Sequence, residues 1–328
     1  MRRAIERLCL ITALALAGCG SGEPGEPVLV RIQEGATFRQ VVDSLVARDV
    51  VTRPLFFRAY ARMKGLDRSV RAGTYRLSQG GPYSDILRDL TEGRVETYPH
   101  TIPEGLTLPN IAARLTGATG LDSATILTEL TGDSLHLDWE VPGPGLEGYL
   151  FPDTYRFAEG VTVQNVLSAM VAQYRAYWTP ERRRQLEASG LTEREAVTLA
   201  SIIQAEARQV SEMPTISSVY HNRLRIGMLL QADPTVLYAL GGPRPRLLYA
   251  AIDSVADNPY NTYSRPGLPP GPICAPGEDA LDAALQPIES DYLYFVARPD
   301  GSHIFTRSLA EHNRARIQVR REAAGQGS

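Results

Sequence analysis

Two spacings of apolar residues alternate from residue 28 onward. Residues 28–32 alternate as a strand does; Glu34-Gly35 then breaks the run, and Phe38, Val41, Val42 and Leu45 fall at i, i+3, i+4 and i+7. That spacing puts four apolar side chains on one helical face. The same unit returns where Ile102-Pro103-Glu104-Gly105 runs into Leu108, Ile111, Ala112 and Leu115, and more loosely at Leu77, Gly80, Pro82, Ile86 and Leu90. Between the first two copies, residues 54–63 read as a second helix, and residues 71–75 as the turn and strand that follow it.

After residue 115 the pattern lengthens. A helical stretch ends in the loop signal Pro142-Gly143-Pro144-Gly145, and residues 146–155 then alternate acids with aromatics, as either a sugar site or a packed turn does. Residues 163–178 and 214–224 carry the helical spacing. The stretch 241–277 is rich in Gly and Pro, and a loop of that length in a compact domain is usually functional. Residues 292–297 and 303–306 form a predicted hairpin about Pro299-Asp300-Gly301, followed by a helix capped by Ser308 and Glu311. The fold class expected is α+β: a small α/β domain at 28–98, then a larger mixed domain at 99–328 that carries the chemistry.

Thr192-Glu-Arg-Glu195 has the spacing of a capping box, which starts a helix. From there Leu199, Ile202, Ile203 and Glu206 share one stripe, so a carboxyl group stands among large aliphatic side chains. Desolvation there raises its pKa towards the range where a carboxylic acid still donates a proton near neutrality. The alternative is a structural ion pair at the edge of the stripe, with Arg208 or another arginine.

At 328 residues the chain suggests two domains, and its net charge of -3 gives no footprint for nucleic acid. Arg2, Arg3 and Arg7 precede the apolar run 8–17, an export signal too short to span a bilayer. Leu16-Ala17-Gly18-Cys19 resembles a bacterial lipoprotein cleavage box. On that reading residues 1–18 are removed, Cys19 is lipidated, and 19–27 is a flexible tether; the other reading is an ordinary signal peptide that contains a cysteine. Cys274 is then the only free thiol, and the mature chain forms no internal disulfide.

The five histidines show no short ligand spacing, so no metal is expected. Nucleophile-elbow, phosphate-loop and dinucleotide motifs are absent, and the single lysine, Lys64, lies in the repeat region, which argues against a pyridoxal enzyme. No cofactor is expected. What remains is acid/base chemistry by carboxylates, with Glu206, Glu147, Asp153 and Asp233 as candidates.

The strand, glycine turn and helix repeated over 28–98 resemble the LysM-like units of cell-wall proteins, although a purely structural repeat reads the same way. A more specific resemblance rests on L-E-G-Y-L-F-P-D-T-Y from 146, A-S-I-I-Q-A-E from 200, S-V-Y-H-N-R-L-R-I-G-M-L-L-Q-A-D-P-T from 218, Y-N-T-Y from 260, G-L-P-P-G-P-I from 267 and Y-L-Y-F-V from 292. Together they are similar to the MltG (YceG-like) endolytic murein transglycosylases. The resemblance implies cleavage of peptidoglycan glycan strands between N-acetylmuramic acid and N-acetylglucosamine, leaving 1,6-anhydro ends and trimming or terminating nascent strands. It also implies that the catalytic carboxyl is Glu206, since Gln204 stands where the family carries its first glutamate. Glu147, Gln231, Asp233, Tyr260, Asn261 and Thr262 are the candidate sugar-holding groups, or else hydrogen bonders that stabilise the loop. The partners implied are the glycan strands, a membrane through Cys19 and enzymes of wall synthesis. The location implied is outside the cell inner membrane, facing the periplasm. Two rival readings remain: a non-catalytic peptidoglycan-binding lipoprotein, and a hydrolytic muramidase that pairs Glu206 with Glu147 or Asp153.

Overall fold

A computed structural model describes residues 25–132, 135–244 and 247–325, and the expected export signal and Cys19 lie outside them. The protein is mixed α+β, built of helices and small two-stranded sheets. It divides into two units, one taking the chain up to Pro99 together with Arg156–Gly160, the other His100–Tyr155 and Val161–Ser328.

In the first unit β1 (Pro27–Ile32) pairs antiparallel with β2 (Gly73–Ser78), Val30 facing Tyr75. The helices α1 (Phe38–Val46), α2 (Pro54–Met63) and α3 (Tyr83–Glu92) complete it. Val41, Val42 and Leu45 of α1, Phe57 and Ala61 of α2, and Leu87 and Leu90 of α3 form one buried cluster with Val30, Ile32 and Tyr75. Phe57 meets Tyr83 edge to face at 5.2 Å, a favourable aromatic geometry. Thr37 closes a full capping box with Gln40 at the start of α1.

The chain next forms β3 (Tyr98–Ile102), α4 (Leu108–Thr119), α5 (Ser123–Leu130), the single turn α6 (Leu135–Asp138), β4 (Asp153–Phe157) and α7 (Val163–Tyr177), and β3 pairs with β4. The chain thus runs twice through the order strand, helix, helix, strand, helix, with α6 added the second time. Each strand leads to its next helix through a turn containing a left-handed glycine: Gly35, Gly80, Gly105 and Gly160 all have φ between 64° and 76°. Three of these turns share Glu-Gly-x-Thr, with Thr37, Thr107 and Thr162 as N-cap residues. The copy at Glu159 and the strand before it were missed in the sequence pattern, because acids and aromatics interleave there.

The remainder is α8 (Pro180–Ser189), α9 (Glu193–Glu206), α10 (Met213–Arg225), α11 (Asp233–Ala239), α12 (Tyr249–Ser254), α13 (Glu278–Leu285), the hairpin β5 (Tyr294–Ala297) with β6 (His303–Thr306), and α14 (Leu309–Gly325). Helix α9 is enclosed on all sides from Ala196 to Ile203, and α13 packs closely along it.

Candidate active site

Helix α9 starts where its sequence requires. The Thr192 hydroxyl accepts from the Glu195 amide at 3.3 Å, and the Glu195 carboxylate accepts from the Thr192 amide at 2.8 Å. Its polar residues tie it to the chain before α13. The Ser201 hydroxyl accepts from the Ile273 amide at 3.0 Å, and the Gln204 side-chain oxygen accepts from the Gly277 amide at 3.0 Å. Gln204 therefore holds the frame of the site. Residues 105–106 pair with Ala275 through bonds of 2.8 Å in each direction, which brings the Glu104-Gly105 turn beside the end of α9.

Glu206 is the last residue of α9, after which Ala207 turns to extended backbone. Ile202 and Ile203 are fully buried, and the Glu206 carboxyl is enclosed although the residue keeps some exposed surface. Burial pushes its pKa up to about 7; the Tyr220 hydroxyl pulls the other way, the charge of Asp233 adds to the rise and Arg223 opposes it. A carboxylate at a helix C-terminus also faces the negative end of the helix dipole. Tyr220 donates to Glu206 Oε1 at 3.0 Å. Among the described residues no arginine pairs with Glu206 within salt-bridge distance, and Arg208 is exposed. The ion pair with Arg208 is therefore not formed.

Asp233 opens α11 and is exposed; its carboxylate accepts from the Tyr263 hydroxyl at 2.5 Å. Gln231, also exposed, holds the left-handed backbone at φ 47°, which a non-glycine residue adopts at a cost. The loop from Asn258 to Tyr263 fixes this corner. The Thr262 carbonyl and hydroxyl accept from the amides of Gln231 and Ala232 at 3.1 and 3.0 Å, and the Asn261 amide group donates to the carbonyls of Ile252 and Val255. Both Asn261 and Thr262 are buried, so their side chains hold the loop while Gln231 and Asp233 face outward.

The Glu147 carboxyl is enclosed as well. Its Oε2 accepts from the Leu108 amide at 3.2 Å, and burial pushes its pKa up to about 7, opposed by the backbone amides of Leu108 and Gly148 and by Tyr238. Tyr238 turns towards this carboxyl without a geometric bond to Oε1, which is buried and has no partner among the described residues. Tyr260 packs on Tyr238, ring centroids 4.9 Å apart, and feels the same carboxyl. Asp153 is exposed on β4, its carboxylate accepting from the Thr154 amide. The carboxylate whose charge bears on Glu206 is therefore Asp233, and Glu147 acts on the Tyr238 and Tyr260 pair instead.

Sequence reasoning missed Tyr220, Arg223, Tyr238 and Tyr263 as site residues. Tyr220 and Arg223 are i, i+3 on α10, a spacing visible beforehand; the apolar stripe of that helix absorbed the tyrosine. Among the described residues, no cluster of three or more His, Cys, Asp or Glu side chains is arranged to hold a metal ion.

Glu206 is thus an enclosed carboxyl group at a helix end of an α+β protein, bonded to one tyrosine and under the charge of a second carboxylate and a buried arginine. The chain belongs to the YceG-like family, whose sequence model matches residues 30–318. It is 34% identical over 308 residues to an endolytic murein transglycosylase of Bacillus subtilis, covering 88% of this chain and 84% of that one. A Streptococcus pneumoniae protein of the same description is 30% identical over 317 residues, and the chain spans 57% of its length. A crystal structure of a YceG-like protein from Listeria monocytogenes superposes with a TM-score of 0.61 at 32% identity, covering 89% of this chain and 99% of that one.

Proposed function

We propose that the protein is an endolytic lytic transglycosylase of peptidoglycan, with Glu206 as its sole acid and base. The relatives named for that activity support the substrate class. The observation that carries the mechanism is the Glu206 carboxyl itself, which holds its proton to about pH 7 and has a tyrosine hydroxyl as its bonded partner.

Protonated Glu206 gives its proton to the glycosidic oxygen as the bond from C1 of the muramic sugar breaks. The resulting carboxylate takes the proton from that sugar's C6 hydroxyl as O6 closes on C1. The 1,6-anhydro ring forms, Glu206 regains its proton, and no water is consumed. A hydrolytic glycosidase uses two carboxyl groups at the scissile bond, and this cycle uses one. Asp233, whose charge bears on Glu206, and the exposed Gln231 two residues before it are the groups we assign to the sugar, while Asn261 and Thr262 serve by holding their loop. Glu206→Gln keeps the shape of the side chain and removes the proton cycle, so cleavage of purified sacculi falls by at least about 10²-fold. Cleavage at the wild-type rate would remove Glu206 from the mechanism.

The N-terminal pattern supports export and attachment through lipidated Cys19, facing the periplasm from the inner membrane, where wall-synthesis enzymes are the natural neighbours. The β1, α1, α2, β2 order of the first unit supports a LysM-like glycan-binding role.

A further inference from the structure

Arg223 lies one helical turn beyond Tyr220 on α10 and is almost wholly buried, at 7% exposure. A buried guanidinium is normally matched by a carboxylate, because removing its charge from water is costly. Among the described residues no carboxylate pairs with Arg223. Its nitrogens go to backbone instead: Nε donates to the Leu293 carbonyl at 2.7 Å and Nη1 to the Leu230 carbonyl at 2.5 Å. The Tyr294 ring covers the guanidinium at 5.3 Å.

These two carbonyls belong to segments distant in sequence. Leu230 immediately precedes the strained Gln231 and the first turn of α11 with Asp233, and Leu293 leads into β5. Thr262 fixes the amides of Gln231 and Ala232 from the other side, so the corner is held by its amides and by the Leu230 carbonyl together. A flexible ammonium carries the same charge as a guanidinium and lacks its rigid fork, so it does not hold two carbonyls in a fixed relation.

We propose that Arg223 is the positioning residue of this site: it clamps the Leu230 and Leu293 carbonyls so that the corner from Gln231 to Asp233 is held with Asp233 facing Glu206, and it is the fixed positive charge facing Glu206 after proton transfer. The proposal rests on the reading of Glu206 as acid and base. The titratable and charged groups facing Glu206 are Tyr220 and Arg223 from α10, Asp233 from α11 and Tyr263 from the loop after α12; Tyr294 and His312 face Arg223. In this set Arg223 opposes the rise that burial and Asp233 impose on Glu206. Removing its charge therefore raises the pH at which the acid loses its proton.

The test is a pH profile of sacculus cleavage for wild type, Arg223→Lys, Arg223→Met and Glu206→Gln, with hydrogen exchange at residues 230–233. Arg223→Met is expected to lower kcat at least about tenfold, move the alkaline limb of kcat/KM to higher pH and speed exchange at Gln231 and Ala232. Arg223→Lys is expected to lower kcat and speed exchange while leaving the alkaline limb in place. If Arg223→Met does not fold, Arg223→Lys decides alone: slowed turnover with faster exchange at the corner supports the clamp. Turnover and exchange equal to wild type overturn it, as does a loss that only tracks melting temperature with no change in either pH limb or local exchange. If Glu206→Gln is inactive while the Arg223 variants match wild type, this proposal alone fails. If Glu206→Gln is active, the reading beneath it fails.

Discussion

Burial pushes the pKa of two carboxyl groups, Glu206 and Glu147, up to about 7, and that shift bears on stability. In each the folded chain holds the proton more tightly than the unfolded chain, whose carboxyl titrates near 4.5. Neither weakens the fold below that pH; stability then falls as pH rises to about 7 and levels off, by up to about 3 kcal/mol for each group. Glu147→Gln accordingly raises the melting temperature at pH 8 and changes it little at pH 4.5, as calorimetry at the two pH values would register; equal shifts at both would contradict the assignment. Tyr220→Phe removes the hydroxyl that stabilises the Glu206 carboxylate, so the alkaline limb of the rate profile moves to higher pH and kcat falls by about tenfold. An unmoved limb would mean that Tyr220 only packs. The enclosure of the Glu206 carboxyl was legible from its place on an apolar stripe, and Asp233 stood among the candidates, whereas Tyr220 and Arg223 did not, because they meet it through tertiary packing that spacing along the chain does not encode.

Periodicity revealed the elements that bury one clean face. The spacings at Phe38, at residues 54–63 and at Thr192 correspond to α1, α2 and α9, and the final hairpin lies where alternation put it. Helix α8 was overlooked because Leu186 is its one buried residue, and α13 because its short face is built largely of the small residues Ala280, Ala283 and Ala284, directly after the Gly/Pro-rich stretch. Two glycines near the site give a contrast that tests the packing. At Gly148, φ is 84° and an added Cβ would lie 2.3 Å from Pro272 Cβ, a ring that cannot swing away. At Gly277 the obstacle is the Glu104 carboxylate, the end of an exposed flexible side chain. Gly148→Ala is therefore expected to cost at least about 1–3 kcal/mol and to reduce activity by displacing Glu147, while Gly277→Ala stays within about 1 kcal/mol of wild type. Denaturant unfolding of both variants checks this, and equal losses would contradict it.

Over the whole molecule the two-unit division was approachable from length and repeats, but the return of residues 156–160 to the first unit was not, since a local pattern carries no record of which distant strand it joins. Among the described residues no helix is long and apolar enough to cross a membrane; the attachment we propose rests on the cleavage-box pattern at Leu16-Ala17-Gly18-Cys19. Cys19→Ser is expected to move the protein from the membrane fraction to the soluble fraction with cleavage in vitro intact; retention on the membrane after a detergent-free wash would contradict the lipid anchor.

The central claim is that one carboxyl group both gives and takes the proton while the muramic C6 oxygen closes the ring. Mass spectrometry of fragments released from purified sacculi by the wild-type protein tests it most directly. The account predicts muramic ends lighter by one water than hydrolysed ends, and no such fragments from Glu206→Gln. Hydrolysed ends throughout would contradict it.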